Sequence, residues 1–345
     1  MINLSSFGQR WLPEIEAYMR WTVSSERQEL RGLYGMLRYH LGWEDQQGRP
    51  DSAPAGKRVR PLVVLMACQA AGGDSQNAIP AAAAVELLHN FSLIHDDIED
   101  RSPTRRHRTT LWHWVGEAQA INAGDTMFAL ARLALLGLRE TGVAPERILD
   151  AQRLFDLTCL HLTEGQYLDI GFETRTDVTL PEYQTMIAGK TAALLAASAQ
   201  LGAIAAGADD AIAGHYWRFG HELGLSFQVQ DDILGIWGDE AQTGKSAASD
   251  ILTRKKTLPV LYALEQAGPY AQALYAYYTA DRELTPVDLS MILELLDRLG
   301  AREHAEMVAR GHAQAALAAL AQTDGEPEGM ALLVELAGKL VGRRA

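Results

Sequence analysis

Two short acidic segments, each set inside an otherwise apolar helical stretch, are where this sequence could do chemistry. The first is Leu93-Ile94-His95-Asp96-Asp97-Ile98-Glu99-Asp100-Arg101, which closes a mostly apolar run beginning at Pro80. Asp96 and Asp100 are four apart and share a helix face. Like charges so placed destabilise an isolated helix by about 0.2–0.5 kcal/mol, and by more if that end is enclosed. A cation offsets the cost. Oxygen-only ligands select magnesium, which takes one or two carboxylates, water and phosphate oxygens. Taken alone, such a cluster reads more simply as a solvated helix end. The second segment, Phe227-Gln228-Val229-Gln230-Asp231-Asp232-Ile233-Leu234-Gly235, repeats the pattern. Two acidic pairs in core-like helices are much harder to dismiss than one, because two carboxylate walls could hold several magnesium ions around a diphosphate.

Basic residues accompany both segments. Gly56-Lys57-Arg58-Val59-Arg60-Pro61 puts Lys57 and Arg60 three apart, on one face if helical. Arg105 and Arg106 follow the first segment, Lys190 follows Gly189, Lys245 follows Gly244, and Lys255 and Lys256 precede Thr257. Arginine offers bidentate phosphate contacts and lysine a point charge. With the acidic pairs they suggest two diphosphate sites, one metal-bridged and one held by direct cationic contacts. A nucleotide-binding loop is excluded on spacing: before Gly244-Lys245-Ser246 the nearest glycine, Gly238, is one residue too far, and before Gly189-Lys190-Thr191 the required position holds Gln184. His89 and His95 are six apart, which is not zinc-helix spacing. A net charge of -13 argues against a nucleic-acid partner, which needs a basic surface.

The elements that must position these residues are helices. Ala, Leu, Glu, Gln and Arg dominate, and no convincing run of alternating β-branched residues occurs. Breakers at Pro54 to Gly56, Gly72 to Asp74, Ser102 to Thr104, Gly142 to Pro145, Pro181, Gly207, Gly268 to Pro269 and Asp324 to Pro327 divide the chain into helix-length segments. Pro80 to Ile94 and Thr191 to Ala206 lack a polar face and belong in the centre of a bundle. The expected fold is all-α, a single domain over residues 1–345. Cys68 and Cys159 show neither metal nor disulfide spacing and read as buried thiols in a reducing compartment. The N-terminus has no signal-peptide pattern, and Ser198 and Gln200 suit a core helix better than a membrane span. The expected location is the cytoplasm.

Residues 50 to 265 resemble the trans-isoprenyl diphosphate synthase (polyprenyl synthetase) family. The family's first D-D-x-x-D motif matches Asp96, Asp97 and Asp100; its second matches Asp231 and Asp232 but ends in Gly235, with Asp239 a nearby carboxylate that could stand in. The resemblance implies a helical bundle around a central cavity, a homodimer, and three magnesium ions per active site held by Asp96, Asp100 and Asp231. It implies an isopentenyl diphosphate site at Lys57, Arg60, His89 and Arg106, and an allylic diphosphate site at Arg105, Lys190, Thr191, Gln228 and Lys245. Asp97, Asp232 and Lys190 join the catalytic set. The implied reaction is ionisation of the allylic diphosphate, attack by the double bond of isopentenyl diphosphate, and proton loss to the departing diphosphate, behind apolar walls that exclude water.

Product length follows from helix geometry. Ser92 lies one turn below Asp96, and Phe91 about 140° round and slightly deeper. In the family, bulky aromatics at these positions stop growth early. A small residue at the nearer position and an aromatic at the farther one resemble geranylgeranyl diphosphate synthases, so the expected product is C20, with C15 as alternative; Phe91 could equally pack against a neighbouring helix. A class I terpene cyclase fits less well, because its second metal motif wants a hydroxyl where Gly235 stands and a Glu where Asp239 stands. A non-catalytic regulatory subunit would show decayed motifs, of which Gly235 is the single hint.

Overall fold

The structure is a computed structural model that describes residues 3–51, 53, 56, 58–238 and 249–341. Lys57, Asp239 and Lys245 lie outside the described residues. Among the described residues the fold is all-α apart from one two-stranded hairpin, as the helix-forming composition requires. By its internal contacts the chain divides into two compact units. One comprises Met1–Cys159, Ala197–Trp217 and Gln322–Leu333; the other comprises Leu160–Ala196, Arg218–Ala321 and Val334–Ala345.

The first unit contains α1 (Leu4–Thr22), α2 (Arg31–His40), α3 (Val59–Ala70), α4 (Ile79–Glu99), α5 (Leu111–Val115) and α6 (Glu117–Leu136). It also takes the first part of α7 (Pro145–Glu173). At its centre is α4. Ala81 to Val85, Leu87 and Leu88 are fully buried, which accounts for a run with no polar face. It packs most extensively on α6, then on α3 and α1. Four successive alanines let these neighbours approach closely, and Gly124 of α6 lies directly on the His95 ring, where a Cβ would come within 2.2 Å of Nε2.

The second unit takes the rest of α7 and adds α8 (Leu180–Ile187) and a wide, π-type turn at Ala188–Ala192. From α9 (Ala193–Ala205) and α10 (Asp210–Trp237) it takes the residues from Ala193 to Ala196 and from Arg218 onward. The short α11 (Ser249–Leu252) and α12 (Leu258–Glu265) follow. Thr179 caps α8 in a reciprocal box with Glu182. Gly220 and Gly224 bring α10 against the backbone of Leu195 and Ala192, where a Cβ would stand 2.4 and 2.5 Å from the nearest atoms.

The expected core segment, Thr191 to Ala206, is buried almost throughout. Among the described residues, by length and composition alone, two helical stretches, Glu117–Thr141 and Leu180–Ala205, could cross a membrane; the most apolar part of the second is 78% buried within the protein. Cys68 and Cys159 are unpaired, and burial pushes their thiols up to about 12 and about 11, which keeps them protonated.

Candidate active site

The first acidic segment ends α4. Asp96 and Asp97 behave differently although adjacent. Asp97 is 2% exposed and accepts from Arg105 Nε at 2.6 Å; Asp96 is half-buried and accepts from Arg105 Nη2 at 2.7 Å. Burial pushes the Asp97 carboxyl up to about 6, against the pull of Arg105. Asp100 caps the helix and is exposed, one turn from Asp96.

Arg105 reaches back to these carboxylates from a hairpin that sequence reasoning missed. Strand β1 (Thr104–Arg105) pairs antiparallel with β2 (Arg108–Thr109), with Arg105 opposite Arg108. The two residues between them, Arg106 and His107, have φ of 53° and 62°. Two-residue hairpins of this hand need positive φ at both central positions and normally use Asn-Gly or Gly. An Arg-His turn carries no such signal and is strained, a feature that concentrates at working sites. Arg105, expected at a diphosphate, is bonded here to the two aspartates.

Two of the basic residues expected at one site, Arg60 and His89, lie side by side. Arg60 Nη1 lies 3.4 Å from His89 Nε2. A Cβ on Gly56 would meet Arg106 Nη2 at 2.8 Å, so the guanidinium lies over bare backbone where φ is +88°. Burial, then the charges of Arg60 and Arg106, pushes His89 well below its ordinary value and keeps the ring neutral. His40, which the sequence did not single out, is held down to about 3 by burial and by Arg105 and Arg106. Arg58 takes a left-handed conformation (φ 47°), and α3 starts at Val59. Arg58 is buried, pairing with Glu86 and, through Nε at 3.0 Å, with Glu16. Glu16 also accepts from Trp43 at 2.6 Å, and Glu86 from Asn90 at 2.9 Å. This buried network consumes the acids nearest Arg60 and Arg106. The charges of Arg60 and Arg106 act on one another and on the neutral His89 ring, a concentration of positive charge that an anion stabilises.

Ser92 turns its hydroxyl back to the His89 carbonyl at 2.8 Å. Phe91 is buried and packs its ring 5.2 Å from Phe128 of α6 and 4.8 Å from His95.

In the second unit the same division recurs. Asp231 is exposed, whereas Asp232 is 2% exposed and fully engaged. It accepts from Tyr183 Oη at 2.5 Å, from Gln228 Nε2 at 3.1 Å and from the backbone N–H of Leu258, the first residue of α12, at 3.0 Å. Burial pushes its carboxyl up to about 6, against the charge of Lys255. Thr191 donates to Gln228 Oε1 at 2.6 Å. Lys190 pairs with Asp169 of α7. Gly165 and Gly189 let α7 lie on the wide turn: a Cβ on Gly165 would stand 2.2 Å from the Lys190 nitrogen, and one on Gly189 2.5 Å from the His161 carbonyl. Glycine inside a helix costs about 1 kcal/mol against alanine, so a mid-helix Gly165 was the signal that could have pointed to this crossing.

Among the described residues no three His, Cys, Asp or Glu side chains form a ready-made metal cage. The donors present fit magnesium all the same, since it dehydrates reluctantly and takes one or two carboxylates, with water and substrate oxygens completing its shell. Asp96 and Asp100 on α4, and Asp231 on α10, are such donors.

A family model for polyprenyl synthetases matches residues 51–296. The chain belongs to the polyprenyl synthetase family. It is an enzyme of the transferase class that this family defines. The chain is 42% identical over 315 residues to a (2E,6E)-farnesyl diphosphate synthase of Mycobacterium tuberculosis, covering 90% of this chain and 86% of that protein. It is 41% identical over 310 residues to a geranylgeranyl diphosphate synthase of the same organism, covering 90% and 87%. The crystal structure of a polyprenyl synthetase from Streptomyces coelicolor A3(2) superposes with a TM-score of 0.90 at 34% identity, over 98% of this chain and 99% of that one.

Proposed function

We propose that this family member is a magnesium-dependent prenyltransferase that condenses isopentenyl diphosphate with an allylic diphosphate. The observation that carries the reading is the division within both acidic pairs. The second aspartate of each is buried and held by hydrogen bonds, and its neighbour is less buried: Asp96 is half-buried and shares Arg105, and Asp231 is exposed. A solvated helix end needs no such anchoring. Arg60, His89 and Arg106, with Lys57, hold the isopentenyl diphosphate. Lys190, Thr191, Gln228 and Lys245 belong to the allylic diphosphate. Asp97 and Asp232 position their helices rather than touch substrate. Asp96, Asp100 and Asp231 would hold the magnesium, whose positive charge would stabilise the charge that develops on the departing diphosphate. The allylic C–O bond breaks, the double bond of isopentenyl diphosphate attacks the cation to form the new C–C bond, and the departing diphosphate takes the proton.

For the product, the farnesyl length (C15) has the better support. Relatives named for it stand at 42% identity, and Phe91, packed on Phe128, forms an aromatic block five residues before Asp96. The C20 reading keeps some support from the small Ser92 and from the 41% geranylgeranyl relative. Separating the products made from each allylic primer by chain length tests both. A C15 product supports the first reading, a C20 product the second, and no elongation removes both.

A homodimer is part of the same reading. α7 leaves Leu149, Leu157, Leu160, Tyr167 and Ile170 exposed at helical spacing, an apolar stripe a second copy could cover. A monomer by light scattering would contradict it.

A further inference from the structure

The hairpin that carries Arg105 and Arg106 does not account for its own shape. β1 and β2 are two residues each, and an isolated hairpin is marginal in water even at ordinary strand length. Its register sets Arg105 directly opposite Arg108, and like charges so placed repel. Its turn holds Arg106 and His107 at positive φ, which residues with side chains seldom adopt. Length, register and turn all work against the hairpin, so contacts from outside it must hold it.

Those contacts centre on Arg108. Its Nη1 donates to the Tyr39 carbonyl at 3.0 Å and its Nη2 to the Glu44 carbonyl at 2.7 Å. The guanidinium lies over the Tyr39 ring, 4.1 Å from its centroid, and Nη2 is 3.5 Å from Asp51. Tyr39 bonds the hairpin in turn, donating from Oη to the Thr109 carbonyl at 2.8 Å. Tyr39 is buried in the last turn of α2 and packs on Trp114, with ring centroids 4.8 Å apart. The loop that offers the Glu44 carbonyl is tied to α1 through Trp43, which donates to Glu16. The two donors of one planar fork thus meet two carbonyls that the fold already fixes. Beyond β2, Thr110 Oγ1 and Trp112 Nε1 both donate to the Ser102 carbonyl at 2.8 Å and close the base of the hairpin.

We propose that Arg108, together with Tyr39, is a positioning residue: it clamps the hairpin in the strained shape that brings the charge of Arg106 to Arg60 and His89. This rests on the reading of Arg60, His89 and Arg106 as the isopentenyl diphosphate site. The arginines of the hairpin have different supports. Arg105 is anchored by its own bonds to Asp97 and Asp96. Among the described residues the Arg106 guanidinium has no hydrogen bond or ion pair; it lies over the bare backbone of Gly56. Its place is therefore set by the backbone of the turn, and the turn is set by Arg108. Three arginines within four residues read alike in sequence, yet one is spent on backbone carbonyls so that another can face an anion.

The test compares the full-length wild type with Arg108→Met, Tyr39→Phe, and Arg108→Met combined with His107→Gly. Methionine keeps the reach over Tyr39 and removes the donors. Calorimetric titration with isopentenyl diphosphate gives the affinity, and amide hydrogen exchange read by mass spectrometry gives the protection of residues 101–112. Thermal unfolding reports folding. Arg108→Met should weaken binding by about 10- to 100-fold, the weight of a misplaced charge-assisted hydrogen bond. It should also deprotect the hairpin while distant helices keep their protection. Tyr39→Phe should act the same way by a few-fold. Glycine accepts positive φ without strain, so His107→Gly should bring the Arg108→Met protein back to within about tenfold of wild type. A glycine restores no charge, so that rescue separates positioning from loss of positive charge. Wild-type affinity in a folded Arg108→Met, or a double variant that binds no tighter than Arg108→Met, overturns the inference. If Arg108→Met does not fold, Tyr39→Phe decides: wild-type affinity with unaltered protection at the hairpin overturns it too. A wild type that binds no isopentenyl diphosphate removes the reading of the site, and the inference falls with it.

Discussion

Gly165→Ala isolates the geometry of the Lys190 turn from its chemistry. The added Cβ would sit 2.2 Å from the Lys190 nitrogen and 2.8 Å from the Gly189 carbonyl carbon, and both are backbone atoms that cannot rotate away. Ordinary contact begins at 3.4 Å, so α7 and the wide turn must separate by about 1.2 Å. Overpacking of this kind costs about 1–3 kcal/mol, and alanine's better helix propensity returns about 1 kcal/mol. The expected net loss of stability is therefore about 0–2 kcal/mol. Turnover should suffer more. A 1 Å misplacement of substrate-positioning groups costs about 100-fold, or about 2.7 kcal/mol in the barrier. Urea unfolding gives the first number and steady-state kcat the second. Gly171→Ala, on the same helix but facing open space, is the control; it should gain up to about 1 kcal/mol and keep its rate. If Gly165→Ala turns over within twofold of wild type, the crossing does not position Lys190 and the reasoning is wrong.

Asp96→Ala should abolish nearly all turnover while the protein stays folded, because Arg105 keeps its bond to Asp97; near-normal rates would rule out a metal role for Asp96. Ser92→Phe, one turn below Asp96, should shorten the product, read by chromatography of the dephosphorylated prenols; an unchanged length would place the growing tail elsewhere. His40 gives a pH test. Its pKa of about 3 in the fold lies below the ordinary 6.5, so between these values the unfolded chain binds a proton that the fold refuses. His40's contribution is intact above pH 6.5 and is lost as pH falls toward 3, with a slope of up to about 1.4 kcal/mol per pH unit. His40→Gln should flatten stability between pH 4 and 6 by up to that slope, and an unaltered slope would show that the ring is not held neutral.

The sequence showed the helices more fully than the site. α4 and α9 were legible because an apolar run without a polar face has one place to go, the core. The acidic pairs were legible as pairs, but not the unequal roles within each. Which of two neighbouring aspartates is buried depends on partners distant in sequence, Arg105 for Asp97 and Tyr183 and Leu258 for Asp232. The 104–109 hairpin escaped because its turn is Arg-His, held by tertiary contacts against local preference. Arg58 looked like one more surface charge in a basic run. Its burial follows from Glu86 and Glu16, neither of which stood out alone.

The most direct test of the central claim is elongation by the pure protein. Isopentenyl diphosphate and an allylic diphosphate are supplied with magnesium, and again with a chelator, and the longer prenyl diphosphate and released diphosphate are quantified. The account predicts matched, magnesium-dependent formation of both. Absence of elongation by the protein alone, or elongation that persists when the metal is removed, would contradict it.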